Sequence, residues 1–378
     1  VTKKITLIIL SNIVFLFLSV NASADDCVIN FESKICLVEK EKVEVKSIPE
    51  AVKHQYNRKC ETLKAEFKND ILTVVNKMPE DLKPIFCHIK KFFIEKEFYA
   101  TGYAGPHFSR SPEDDSIDLG KAYKEDGWII GLSLEKIFHT DTNLSEWFTK
   151  KEMTLFGFEM TDEVPKEFPK FSFEFGNGIF SERQMLIYEV VLHEIGHLVD
   201  MANSVSMDIL MPDCNYADFS CGYYNISPWS LMTRNPDLTW REGAGYYRDV
   251  PCYYGCKNAE EGWEPFDKSE IRQFYTSFYE KSGFVTPYAS VNSMEDFAES
   301  FTFHFYKELD PLMQIEITPG KLNDLYSEKW LKNHFLIAKD RFIDNLFDQR
   351  IIYGFESNEV IYPDVQEDSI SSPIYFVD

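Results

Sequence analysis

The chain has no internal repeat, no low-complexity tract and no proline-rich linker. That excludes a solenoid array and a string of domains on flexible tethers. It is also short of positive charge: lysine and arginine number 39 against 62 aspartates and glutamates, a formal balance of −23. Such a chain repels polyanions, which excludes nucleic acid and anionic membrane surfaces as partners. The acid excess mildly favours a basic substrate, but solubility is the plainer account. Long apolar runs are missing as well, except at the start. Beyond Ile5 to Val20, no segment is apolar for long enough to span a bilayer.

What is present at the start is a processing signal. "VTKKITLIILSNIVFLFLSVNASA" opens on Lys3 and Lys4, continues as a short apolar run interrupted by Ser11 and Asn12, and ends in small residues. Ala22-Ser23-Ala24 fits a signal-peptidase site, so residues 1–24 read as a signal peptide, with the mature chain beginning near Asp25. The expected location is secreted or periplasmic, with no stable membrane insertion after cleavage. All eight cysteines (27, 36, 60, 87, 214, 221, 252 and 256) follow the cut. An even count in an exported chain points to disulfides. Neighbouring pairs, Cys27–Cys36 and Cys252–Cys256, are expected. A structural zinc on Cys214, Cys221, Cys252 and Cys256 is the weaker option, because the spacing matches no common zinc ribbon. Asn143 and Asn225 stand in Asn-x-Ser sequons, relevant only in a glycosylating host.

The remaining composition, 44% hydrophobic and 27% charged, suits a globular chain with a sizeable core. Residues 25–47 read as a charged lead-in looped by Cys27 and Cys36. From Pro49 the apolar positions Val52, Tyr56, Cys60, Leu63, Phe67, Ile71 and Val75 recur at helical spacing. Lys91 to Tyr99 and Trp128 to Leu134 ("WIIGLSL") are strand-like. The polar loop between them, "SRSPEDDSID", lacks the acid spacing of a calcium loop. The second strand reads equally well as a sheet edge able to bind an extended peptide and as an interior strand. A helix is predicted over Ser145 to Phe158, and a short strand over Phe171 to Phe175. Asn203 to Gly283, irregular and with four cysteines, reads as a disulfide-bearing insertion. Asn292 to Tyr306 and Ser327 to Phe347 are predicted helices, and residues 351–378 form an acidic C-terminal tail. The order suggests an α+β fold with one main domain over residues 48–350.

The strongest helix, Ser181 to Met201, carries the chemistry. "SERQ" is a capping box, with Phe180 and Met185 as its hydrophobic staple. The helix is apolar on most faces, yet Glu189, His193 and His197 line one stripe, with Glu194 beside it. Burying two imidazoles and a carboxylate unpaired would be costly. As H-E-x-x-H the four-residue spacing explains them: His193 and His197 take two sites of one zinc, and Glu194 holds a water for hydrolysis.

Zinc needs a third ligand. The long metzincin motif wants glycine at 200 and histidine at 203, where this chain has Asp200 and Asn203. The better candidate lies in "TPYASVNSMEDFAESFTFHF", where Asn292 can cap a helix that puts Glu295 and Glu299 one turn apart. Glu295 would bind the metal and Glu299 would fix the tautomer of a ligand histidine.

"HEIGH" followed by Tyr288-x3-Asn292-x2-Glu295-x3-Glu299 resembles the gluzincin-type group that holds the anthrax lethal factor catalytic domain and the Pro-Pro endopeptidases. The resemblance is confined to these two helices and, loosely, to element order over residues 48–350. It implies a zincin-like α+β domain, a small mixed sheet packed on the HExxH helix and a second Glu-bearing helix. It also implies one catalytic Zn2+ on His193, His197 and Glu295, with Glu194 as general base and Tyr288 assisting. Glu299 would stand behind the ligands, and the substrate would be a protein or peptide. The cysteine-bearing insertion departs from the group's pattern, so Pro-Pro specificity does not carry over.

Two alternatives stand beside this expectation of a secreted zinc endopeptidase. One is a deuterolysin-like protease with Asp208, Asp213 or Asp218 as third ligand, although the Gly-Thr-x-x-Asp pattern is missing. The other is a non-catalytic binding protein on a protease scaffold, which would need neither Glu194 nor Tyr288.

Overall fold

The structure is a computed structural model. It describes residues 24–39, 59–98, 100–110, 123–139, 142–158, 160–166, 168–175, 178–206, 209–210, 223–235, 268–310, 314–318 and 333–348. Residues 1–23 of the expected signal peptide, the expected C-terminal tail, Asp208, Asp213, Asp218 and the four cysteines from 214 to 256 lie outside these residues.

The fold is mixed α+β around one four-stranded sheet. In chain order the elements are α1 (Ala24–Ile29), β1 (Ile35–Val38), α2 (Ala65–Asn76), α3 (Ile85–His88), β2 (Ile89–Glu95), β3 (Gly102–Arg110), β4 (Tyr123–Ser133), α4 (Leu144–Thr154) and β5 (Lys170–Glu174). There follow α5 (Glu182–Asn203), the short pair β6 (Ile209–Leu210) and β7 (Tyr223–Asn225), α6 (Lys268–Lys281), α7 (Ser293–Leu309), β8 (Gln314–Thr318) and α8 (His334–Asp348).

The sheet order is β1-β2-β4-β3. β1, β2 and β4 run parallel, and β3 returns antiparallel along β4. Alternation along β4 sorts its side chains. Trp128, Ile130 and Leu132 join the main core under α5, while Ile129 joins Cys36, Val38, Phe93 and Tyr103 on the other face. "WIIGLSL" is therefore an interior strand, hydrogen-bonded on both sides up to Ser133, after which Leu134 opens a π-helical turn. The edge next to the helices belongs to β3, "GYAGPHFSR", whose glycines and proline disguise it as a loop.

Three other expectations change. Of the helix expected from residue 49, residues 49–58 lie outside the described residues, 59–64 are not helical, and the described helix begins at Ala65. Ahead of it Cys60 is bonded to Cys36 on β1, and the Glu61 N–H donates to the Leu37 carbonyl, which holds this stretch extended. The second described disulfide joins Cys27 to Cys87, so Cys27 and Cys36 are not partners. The lead-in up to residue 39 is accordingly not a loop: it supplies α1 and the outer strand β1, with Phe31 fully buried between them, while residues 40–47 lie outside the described residues. Finally, the stretch expected to be irregular contains α6, and β5 is paired in register with β8.

α5 is the central beam. Its capping box forms as the sequence implies, with Ser181 Oγ accepting from the Gln184 N–H and Gln184 Oε1 accepting from the Ser181 N–H. Arg183 and Gln184 both donate to Asp70, docking α2 on its first turn. Sixteen residues from Met185 to Asp200 are buried without interruption, which fits a helix wrapped by the sheet, α2, α4 and α7. Close packing against α7 depends on Gly196: a Cβ there would lie 2.9 Å from the Ala298 Cα, backbone that cannot swing aside. α7 is anchored on its other side by a buried ion pair. Lys339 Nζ of α8 lies 2.6 Å from Asp296 Oδ1, and Trp229 Nε1 donates to Asp296 Oδ2 at 2.9 Å.

Candidate metal centre

α5 presents His193 and His197 on successive turns, their ring centroids 4.8 Å apart. α7 begins at Asn292, whose side chain accepts from the Met294 and Glu295 N–H groups. That cap fixes the first turn, and Glu295 projects from it towards α5. Its Oε2 lies 3.2 Å from His193 Nε2 and 3.5 Å from His197 Nε2, and the two Nε2 atoms are 3.1 Å apart. The group of His193, His197 and Glu295 is buried and can hold a metal ion.

The spacing is itself the test of fit. Tetrahedral zinc with ligands at about 2.0–2.2 Å puts neighbouring donor atoms roughly 3.3–3.5 Å apart. The three donors already stand near that separation. Two imidazole nitrogens and a carboxylate oxygen facing one point repel unless a proton or cation lies among them. Glu295 Oε2 is buried and makes no directed hydrogen bond to the protein, as is the case for Glu194 Oε2.

The electrostatics follow from burial and these neighbours. Burial disfavours the charged imidazole of His193, but the carboxylates of Glu295 and Glu299 outweigh it and push the pKa up to about 10. His197 goes the other way, because burial dominates. Glu295 pays a burial penalty too, yet His197 and His193 hold it well below the usual carboxylate range. Glu194 has no comparable partner, and burial pushes it up to about 8.

Glu299 lies on the Nδ1 side of the His193 ring. Its Oε1 lies 3.0 Å from His193 Nδ1, and its Oε2 accepts from the Thr286 hydroxyl at 2.7 Å. With a metal at the ligand point, a carboxylate at Nδ1 would favour the proton there and leave Nε2 free to face the ion. Tyr288, on a 3-10 turn just before α7, is buried with its ring centroid 6.1 Å from that of His193. Glu189, on the same stripe as the histidines, is not part of the cluster and accepts from the Tyr306 hydroxyl beneath it.

Three contributors were not legible as site residues. Thr286 orients Glu299, and its two-residue distance from Tyr288 was the one available hint. Lys151 of α4 donates to Glu299 Oε1 at 2.8 Å; nothing in its helical pattern distinguishes it from a surface lysine. Gly102, the first residue of β3, lies against the HExxH glutamate. A Cβ built on it would fall 2.6 Å from Glu194 Oε1 and 2.7 Å from Val190 Cγ1. Only a residue without a side chain lets the edge strand approach so closely. Gly102→Val should therefore displace Glu194 while sparing the ligands. The expected result is unchanged metal content and, if the site is hydrolytic, a fall in kcat on the order of 100-fold. Metal analysis beside steady-state kinetics would check it; unaltered kcat would show that Glu194 tolerates the shift.

The aspartates considered as third ligands, Asp208, Asp213 and Asp218, lie outside the described residues. Within them, Glu295 is the acid that groups with His193 and His197. Compared with protein-family models, curated proteins and solved structures, the chain matches none, so the site is read from its own geometry.

Proposed function

We propose that the protein is a secreted zinc-dependent endopeptidase. The observation that carries this reading is the meeting of Glu295 with both imidazoles, 3.2 and 3.5 Å away, from a separate helix about a hundred residues along the chain. An unpartnered carboxylate, Glu194, stands beside them. The two disulfides support an oxidising compartment, and no described helix is long and apolar enough to cross a membrane.

In this reading His193, His197 and Glu295 hold the ion. Zinc bound there supplies a Lewis acid that polarises a carbonyl and lowers the pKa of water towards about 7. Glu194 takes a proton from the attacking water and delivers it to the leaving amine. The Tyr288 hydroxyl donates to the developing oxyanion. Glu299, held by Thr286 and Lys151, keeps the His193 ring in one orientation. Among the described residues β3 is the outermost strand on this side of the sheet. An extended peptide can add to that edge by backbone pairing, except at Pro106, which lacks an N–H.

The test is metal content and peptide cleavage in the same preparation. The purified protein should carry about one zinc per chain and cleave casein or a mixed peptide library. A chelator should abolish cleavage and added zinc should restore it. Zinc should also protect against unfolding, by about 4 kcal/mol at free zinc a thousandfold above Kd. Protein that takes up no zinc would overturn the reading. Zinc-loaded protein inert towards broad peptide libraries would favour a binding protein on this scaffold.

A further inference from the structure

We infer that Lys151 is a positioning residue for this site, tying the support of His193 to Tyr288. The inference rests on the metallopeptidase reading above and extends it to an element, α4, that contributes no ligand.

The ammonium of Lys151 has two neighbours that matter. On one side Nζ is 2.8 Å from Glu299 Oε1, the same oxygen that lies 3.0 Å from His193 Nδ1. On the other side Nζ sits over the Tyr288 ring, 4.4 Å from its centroid. Side-chain exposure is 14% for Lys151 and nil for Glu299, so solvent scarcely screens the pair. The Trp147 and Phe148 rings lie 5.4 and 5.6 Å from the same nitrogen and wall it in.

The charge arrangement gives this contact a purpose. Glu295 and Glu299 lie on one face of α7, both buried, on either side of the His193 ring. Without a cation of its own, Glu299 would compete with Glu295 for whatever positive charge enters the site. Lys151 supplies that cation to the oxygen at Nδ1, leaving the charge of Glu295 for the ligand point. A merely structural ion pair would not need to share its oxygen with a ligand histidine, nor to lie over the described tyrosine that packs beside that histidine. The next residue, Glu152, is buried as well, and its carboxylate accepts from the Tyr275 hydroxyl at 2.8 Å.

The experiment compares Lys151→Met, Glu299→Gln and the double variant for zinc affinity, by chelator competition, and for kcat and KM on one peptide. The double variant removes both buried charges together, so it leaves no orphan charge and keeps the test open if Lys151→Met fails to fold. The expected result is a 10–100-fold loss of zinc affinity in Lys151→Met, a fall in kcat with little change in KM, and no further loss of affinity when Lys151→Met is added to Glu299→Gln. Folded Lys151→Met with zinc affinity within about threefold of the parent would overturn the inference. So would a double variant that binds zinc as the parent does, or one in which the two losses simply add. If the parent itself takes up no zinc, the metallopeptidase reading fails first, and that outcome is distinct from all of these.

Discussion

Replacing Glu194 with glutamine should leave the metal in place and stop turnover. The substitution keeps the shape of the side chain and removes only its ability to take a proton. Glu194 lies beside the cluster of His193, His197 and Glu295 without belonging to it, so zinc stoichiometry and chelator-competition affinity should match the parent within a few-fold. kcat should fall on the order of 10²–10⁴-fold, the usual yield of a positioned general base. The pH profile offers a second measurement. The base works deprotonated, so kcat/KM should rise with pH through its pKa and level off above it. Burial, only partly offset by the positive charge of His193, pushes that pKa up to about 8, and a divalent cation nearby favours the carboxylate and lowers it again. The ascending limb should thus lie below pH 8 and disappear in Glu194→Gln. A glutamine variant with full activity would remove Glu194 from the chemistry and leave the cluster as a metal site of another kind.

Why some of this could be read from residues alone, and some could not, has a physical reason. Local hydrogen-bond chemistry is written in adjacent residues. Ser181 and Gln184, or Asn292 and Glu295, announce their helix starts because the cap side chain and the N–H that donates to it are three apart. Once the two helices are set, the stripe periodicity of His193 and His197 and of Glu295 and Glu299 follows, and their convergence needs only one crossing. What is written non-locally was missed. The Cys27–Cys87 and Cys36–Cys60 bonds follow from how α1 meets α3 and how the stretch at Glu61 runs against Leu37 of β1, so proximity in sequence misled. The helix expected through Cys60 lost to that same cross-link, a tertiary constraint overriding good apolar periodicity. β3 was invisible because Gly102, Gly105 and Pro106 are poor strand formers, tolerated at an edge where one side needs no partner. Lys151 was invisible for a different reason: a lysine on an amphipathic helix is ordinary, and only its burial against Glu299 makes it unusual.

Glu295→Ala is the substitution that should empty the site. The helix itself should survive, because Asn292 caps α7 through backbone N–H groups that alanine retains and alanine is the best helix former. α7 also stays pinned by Asp296 to Lys339 and Trp229, contacts on the adjacent residue that the change does not touch. Loss of metal can then be separated from loss of fold by comparing circular dichroism of the two metal-free proteins. The magnitude follows from sharing the binding energy. Structural zinc binds with about 10–16 kcal/mol, so removing one of three protein ligands takes away several kcal/mol, on the order of 10³-fold in affinity. His193 and His197 would remain as an i, i+4 pair, able to bind weakly but open to solvent zinc exchange. Turnover should fall with the zinc, and a large excess of zinc should recover only part of it, since the lost carboxylate also sets the charge at the ligand point. An alanine variant that keeps both metal and activity would place the third ligand elsewhere, with Asp208, Asp213 and Asp218 the acids to substitute next.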